Sequence, residues 1–368
     1  LERMIQMRAR DIGLEFEGET GFFNAITDVP GVAVGYSTIV EGEGPLVVGE
    51  GPIRTGVTAI LPRGKQNEMK PIWAGTFSFN GNGEMTGTHW INDGGYFLSP
   101  ICITNTHSVG TVHQTVVKWM IDNYKDQFLT EHLWAMPVVA ETYDGVLNDI
   151  NGMHVKEEHV LAALQSAQSG ELKEGNVGGG TGMICYGFKG GTGTSSRKLH
   201  IDGEEYHIGV LVQANYGKRD WLKISGVPVG KYLTENTLLT KEMGSIIVII
   251  GTDIPMLPHQ LKRLAKRASI GIGRSGSPGG NDSGDIFLAF STANEMSIQQ
   301  KEVPILNMKS TNDQQFDPIY EQTCHAIDEA IINSMIAAES MTALKPSGKI
   351  VEAINHEKLM EVMKRYNR

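Results

Sequence analysis

Cysteine is scarce in this chain of 368 residues, which has only Cys102, Cys185 and Cys324. They show no C-x-x-C spacing and cannot all pair with one another. Neither a disulfide framework nor a zinc knuckle is indicated, and a reducing compartment is expected. Long apolar runs are missing as well. No stretch reaches the roughly 18 residues of a spanning helix, and the longest, around Ile246 to Ile250, is strand-sized. Positive charge is short too: 32 Lys and Arg against 42 Asp and Glu leave a net charge of −10. Non-specific nucleic-acid affinity rests on clustered Lys and Arg. No nucleic-acid or membrane partner is therefore expected, and a small neutral or cationic substrate fits better. The opening Leu1-Glu2-Arg3-Met4 carries no basic segment followed by an apolar core. That points to the cytoplasm, or to the periplasm if a leader has been removed.

Several catalytic signatures are absent. The run Gly178-Gly179-Gly180-Thr181-Gly182 belongs to neither G-x-x-x-x-G-K-[ST] nor a strand-linked G-x-G-x-x-G followed by a ribose-binding acid. The eleven histidines are scattered without H-E-x-x-H. His107 and His113 read as capping or surface groups, so no metal is expected. Gly273-Arg274-Ser275-Gly276 approaches a nucleophile elbow, but its spacing is wrong and no apolar strand leads into it.

What remains is a globular composition, 40% hydrophobic and 20% charged. Its 44 glycines cluster at 80–84, 178–193 and 271–284, marking tight loops and close backbone approaches. Strands are expected at Val57 to Leu61 and Val138 to Ala140. A hairpin is expected from Leu199 to Ile201, turning at Asp202-Gly203 into Tyr206 to Gln213. Several of these are apolar on both faces, as central strands covered on both sides are. Helical spacing joins Val109, Val112, Val116 and Trp119. It recurs after Pro258 in Leu261, Leu264, Ala265 and Ala268, opposite a solvated face of Lys262, Arg263, Lys266 and Arg267. A third helix runs from the cap pair Asp317-Pro318 through Tyr320, Cys324, Ile327, Ile331 and Met335, and a weaker one lies near 350–366. The sum is a mixed α/β protein with two sheets sandwiched between helical layers.

One dipeptide stands out, Gly244-Ser245, set against the run Ile246 to Ile250. Alone it reads as a turn glycine before a buried strand. A cut between the two would make Ser245 an N-terminal residue. Its hydroxyl could then attack while its own amine, with an ordinary pKa of roughly 7.7 to 8.0, takes the proton.

The neighbourhood of the dipeptide is specific. Gly244-Ser245 through Thr252-Asp253-Ile254-Pro255 is followed by a Lys/Arg-rich helix and Asn281-Asp282-Ser283-Gly284-Asp285. Elsewhere stand Asp28-Val29-Pro30-Gly31, Asn80-Gly81-Asn82-Gly83-Glu84, Thr104-Asn105-Thr106-His107, Asn148-Asp149, Gly175 to Gly182, Gly187 to Arg197 and Val212-Gln213-Ala214-Asn215. In this order the segments resemble the L-aminopeptidase/D-amino-acid esterase-amidases and β-aminopeptidases, the self-processing serine hydrolases of peptidase family S58. The resemblance spans nearly the whole chain.

It implies a four-layer αββα sandwich resembling the N-terminal-nucleophile hydrolases. It also implies one domain over 1–368, self-cleaved into 1–244 and 245–368, whose fragments stay together. Ser245 is then the nucleophile of an acyl-enzyme. Asn215 and Tyr143 supply oxyanion donors, and Ser283 with Asp285 tunes proton transfer; some relatives have glutamate at the acidic position. Glu141, or alternatively Glu84, binds the substrate ammonium, and Trp134 lines the entrance. The implied activity removes small N-terminal amino acids from peptides, amides or esters without metal or organic cofactor. A homo-oligomer, a tetramer, is implied as well. Amide-oligomer hydrolases and ornithine acetyltransferases share the architecture but carry threonine at the new terminus, against Ser245 here. A non-cleaving binding relative is the alternative from another class.

Overall fold

Strands apolar on both faces need cover on both sides, and the chain provides it with two sheets and two helical layers. The computed structural model describes residues 6–238, 241–242, 244–298 and 304–368, so Leu1-Glu2-Arg3-Met4 lies outside the described residues. In chain order the elements are β1 (Ala33–Glu41), β2 (Ile53–Leu61), β3 (Ile72–Ser78), α1 (Thr88–Gly94), β4 (Tyr96–Phe97) and β5 (Ile101–Asn105). Next come α2 (Val109–Asn123), α3 (Lys125–Thr130), β6 (Val138–Thr142), α4 (Glu157–Ser166), β7 (Ile184–Cys185) and β8 (Phe188–Lys189). The long hairpin β9 (Gly191–Ile201) and β10 (Glu204–Asn215) leads to β11 (Ser245–Thr252), α5 (Pro258–Ala265), α6 (Ala268–Arg274) and β12 (Ile286–Ser291). The chain ends with α7 (Phe316–Ile336), the hairpin β13 (Met341–Leu344) and β14 (Ser347–Val351), and α8 (His356–Arg365).

One sheet has the order β1-β2-β5-β6 and the other β4-β3-β12-β11-β10-β9. Between them lies an apolar layer that includes Ile60, Ile101, Ile103, Leu211, Ile247, Ile249 and Leu288. The outer face of the larger sheet packs on α5, α6 and α7 through Val212, Val248, Leu261, Ile272 and Ile331. The outer face of the smaller sheet packs on α2 and α4 through Val57, Val112, Val116 and Val160. The result is the expected αββα sandwich. β11 is buried along its whole length. Each of its isoleucines gains about 1.5–3 kcal/mol by leaving water, which holds Ser245 at a fixed strand end. The three cysteines are free and buried. Among the described residues no helix is long and apolar enough to cross a membrane.

Three local expectations need correction. Asp317 is not a cap: α7 begins at Phe316 after a 3-10 turn (Asp313–Gln315) whose start is capped by the Asn312 side chain. The helix after Pro258 is two helices, because backbone bonds from Arg267 to Leu264 and from Ser269 to Lys266 tighten the junction to i−3 spacing. Its basic face is partly spent on packing, with Arg267 stacked 3.8 Å from the Tyr320 ring centre. The glycines at 191–193, expected at tight loops and close backbone approaches, are of the second kind and open β9. A Cβ at Gly193 would stand 2.0 Å from the Ala330 carbonyl oxygen, so the missing side chain lets α7 lie directly on the strand.

Candidate active site

Strand directions bring the candidate residues to one edge of the sandwich. β10 and β11 are antiparallel, with Asn215 paired to Ser245, so the last residue of one strand faces the first of the next. β11 and β12 are parallel, with Ile247 paired to Ile286. Parallel neighbours start at the same end, which carries the loop 280–285 to Ser245. β3 is antiparallel to β12, with Ser78 paired to Ile286, and delivers the loop 79–84 to the same place. In the facing sheet β5 and β6 are parallel and set Thr104 beside Glu141.

The nucleophile candidate is buried, and its Oγ accepts a hydrogen bond from the Gly284 N–H at 3.1 Å. Beside it Ser283 Oγ donates to Asp285 Oδ1 at 2.5 Å. Asp285 also accepts from the Ile246 N–H at 3.2 Å and from Asn80 Nδ2 at 3.3 Å. Burial pushes the Asp285 carboxyl up to about 6, against the pull of these donors. A carboxyl poised there exchanges protons near neutrality.

Asn215 is clamped at both ends of its amide. Oδ1 accepts from the Ile184 N–H at 2.8 Å, and Nδ2 donates to the Tyr143 carbonyl at 2.9 Å. A side-chain amide has two N–H groups, so one is committed to Tyr143 and the second is available to a developing oxyanion. Tyr143 enters this geometry through its carbonyl. Its phenol oxygen rests over Gly145, where a Cβ would stand 2.3 Å away, and among the described residues it makes no hydrogen bond. Asp144, next in the chain, is fully buried, which pushes its carboxyl up to about 7. It takes hydrogen bonds from Thr55 Oγ1 at 2.6 Å and Asn148 Nδ2 at 3.0 Å, anchoring the turn that presents the Tyr143 carbonyl.

Glu141 is a buried carboxylate, bonded by the Glu84 N–H at 2.9 Å and by the Thr106 hydroxyl. Burial raises its pKa, and the neighbouring Glu84 charge adds to the rise. Gly83 ties it to the nucleophile: a Cβ there would lie 3.2 Å from Gly284 Cα and 3.3 Å from Glu141 Oε1. The loop 79–84 thus bridges the two carboxylates, since the Phe79 N–H donates to the Asp285 carbonyl at its other end. Glu84 itself is exposed, and it serves Glu141 through its backbone. Trp134 stands apart. Its ring contacts Trp90 edge-on at 6.3 Å, and His132, rather than any member of the Ser245 cluster.

Gly244 has no room for a side chain, since a Cβ would stand 1.7 Å from the Asn215 carbonyl oxygen. Its N–H donates to Glu242 Oε1 at 3.1 Å. Sequence reasoning missed Glu242, Thr106 and the Gly284 N–H, and it gave Asn80 no role. Asn80 and Gly284 sit in segments already singled out, and Glu242 is two residues from the dipeptide. Thr106 also sits in such a segment, but its pairing with Glu141 across the sheet leaves no local mark.

Comparison with known proteins agrees with this geometry. The profile of peptidase family S58 matches residues 24–348. The chain is 50% identical to the β-peptidyl aminopeptidase BapA of Sphingosinicella microcystinivorans, over 98% of this chain and 93% of that protein. Among solved structures, the L-aminopeptidase D-Ala-esterase/amidase of Ochrobactrum anthropi superposes with a TM-score of 0.94 at 55% identity, covering 98% of this chain and 99% of that one. It is described as a prototype of the serine aminopeptidases with a variant of the Ntn-hydrolase fold. A Burkholderia sp. β-aminopeptidase superposes with a TM-score of 0.88 at 44% identity, over 98% and 99% of the two chains. With a strand-opening serine at the meeting point of both sheets and a family match across most of its length, this chain belongs to peptidase family S58 and is a serine-type peptidase.

Proposed function

We propose that the chain cuts itself between Gly244 and Ser245 and then works as an aminopeptidase, amidase and esterase on small amino-acyl substrates. The observation that carries this reading is Ser245 at the buried start of β11, paired with Asn215 and bonded by Gly284 beside the Ser283–Asp285 pair.

In the cut, Ser245 Oγ adds to the Gly244 carbonyl carbon and its proton passes toward Ser283 and Asp285. The C–N bond breaks, the Ser245 nitrogen takes a proton, and an ester links Gly244 to Ser245 Oγ. Water adds to that ester, releasing the Gly244 carboxylate and a free serine whose α-amine is now a base. In turnover the same hydroxyl attacks the substrate carbonyl, the amine or alcohol leaves, and water frees the acid. The Asn215 amide stabilises the oxyanion in both halves. Glu141, held by Thr106 and Glu84, takes the substrate ammonium.

The two fragments stay together because the larger sheet interleaves them. β11 and β12 come from 245–368 and are flanked by β10 and β3 from 1–244. Separating them would expose the strands that form both apolar layers of that sheet.

Denaturing electrophoresis with intact mass tests the reading. Two fragments splitting at 244/245, with hydrolysis of L-Ala, D-Ala or β-Ala p-nitroanilide, are expected. One uncut band without amidase activity would overturn it. The same panel assigns the acyl preference, and relatives of both kinds, β-peptidyl aminopeptidase and L-aminopeptidase D-Ala-esterase/amidase, frame the choice.

A further inference from the structure

We propose that Glu242 is a positioning residue for the self-cut, acting on the scissile peptide and not on later substrates. The inference rests on the self-processing reading above. Glu242 Oε1 accepts the Gly244 N–H at 3.1 Å, and the Gly217 backbone also faces the carboxylate. This bond ties the carboxylate to the amide of the residue just before Ser245. On its far side Gly244 is pressed against Asn215, whose carbonyl lies where a Gly244 Cβ would be. Gly244 is thus held from two directions, at its N–H and at its Cα.

The Glu242 stem is itself held. A Cβ at Gly280 would lie 2.2 Å from Glu242 Cγ, so the side chain rests flat on the loop that carries Ser283 and Asp285. The Gly280 carbonyl accepts from Asn80 Nδ2 at 3.0 Å, and Asn80 also bonds Asp285. Glu242 therefore links the Gly244 amide to the same loop that holds the proton-transfer pair.

Stability alone does not account for a carboxyl here. Among the described residues, Glu242 Oε2 is buried without a close hydrogen-bond partner. The charges that face the group are Asp285, which repels it, and Lys218, which attracts it. A buried carboxylate next to another acid costs stability, and such costs persist where they serve a function. After the cut, Glu242 sits near the end of the 1–244 fragment, and the Gly244–Ser245 bond that it positions no longer exists.

The test uses the full chain as Glu242→Ala and Glu242→Gln, following the cut fraction over time by denaturing electrophoresis and intact mass. Turnover is then measured per cut chain on an aminoacyl p-nitroanilide. Losing a charged acceptor and the placement it gives is expected to slow the cut about tenfold or more in Glu242→Ala. Glu242→Gln, whose amide oxygen still accepts the Gly244 N–H, is expected to cut within about threefold of the parent. Turnover per cut chain should be unchanged in both. Melting of Glu242→Ala in a Ser245→Ala background separates lost folding from lost positioning. A Glu242→Ala chain that cuts at the parent rate overturns the role of Glu242 alone. So does equal slowing in both variants, or a fall in turnover per cut chain. A parent chain that never cuts overturns the self-processing reading itself.

Discussion

Replacing Gly244 with alanine adds one methyl group to the bond proposed to break, and the structure sets the size of the effect. Gly244 is not among the residues with left-handed backbone angles, so alanine costs nothing in φ and everything in space. Its Cβ would stand 1.7 Å from the Asn215 oxygen and 2.7 Å from the Asn215 carbonyl carbon, both backbone atoms in a paired strand. Contacts below 3.0 Å essentially never occur for a real Cβ. Gly244 must therefore retreat by more than 1 Å, or push back the strand that carries the oxyanion donor. A misplacement of about 1 Å can cost roughly a hundredfold in rate, and crowding of this kind costs about 1–3 kcal/mol in stability. The expected result is a Gly244→Ala chain that folds, cuts itself about a hundredfold more slowly than the parent, and accumulates as one band. Time courses by electrophoresis and intact mass give the rate. Thermal melts of Ser245→Ala with and without Gly244→Ala give the stability term free of cutting. If Gly244→Ala cuts at the parent rate while remaining folded, the close contact with Asn215 does not position the scissile carbonyl and the geometry proposed for the cut is wrong.

Asn215→Ala should lower kcat by about a hundredfold to a thousandfold with a smaller change in KM, the range seen on loss of one oxyanion donor; an equal loss in KM alone would make Asn215 a binding group. Burial keeps Asp285 protonated up to about pH 6, so the carboxylate is lost as pH falls through that value. The self-cut should slow along an acid limb centred near 6, and Asp285→Asn should be slow and flat over the same range. An acid limb unchanged in Asp285→Asn would assign it to another group. Glu141→Gln should reduce kcat/KM for substrates with a free ammonium by about tenfold to a hundredfold. Esters lacking the amine should be little affected, and equal losses on both kinds would remove Glu141 from ammonium binding.

Much of the larger sheet was legible in the chain. The run Ile246 to Ile250 reads as a two-sided strand and Asp202-Gly203 as a hairpin turn, because both signals are local. Helix limits were less so. Asp317 looks like a cap because Pro318 follows it, but Asn312 and a short 3-10 turn satisfy the helix start first. The break between α5 and α6 leaves no mark in the apolar spacing, since both halves face the same core.

The sequence by itself determined the dipeptide, the acid and serine around Gly284, and the family. These follow from residue type and short spacing. Tertiary structure alone decided which of them meet. Asn80 reaches Asp285 across 205 positions of chain. Thr106 holds Glu141 from the turn that follows the adjacent strand, and the carbonyl of Tyr143, not its phenol, orients Asn215. The reason is that the site lies where strand ends from both sheets converge. Strand order and direction, set by burial of the apolar layers over the whole chain, fix that convergence, and no local pattern records it.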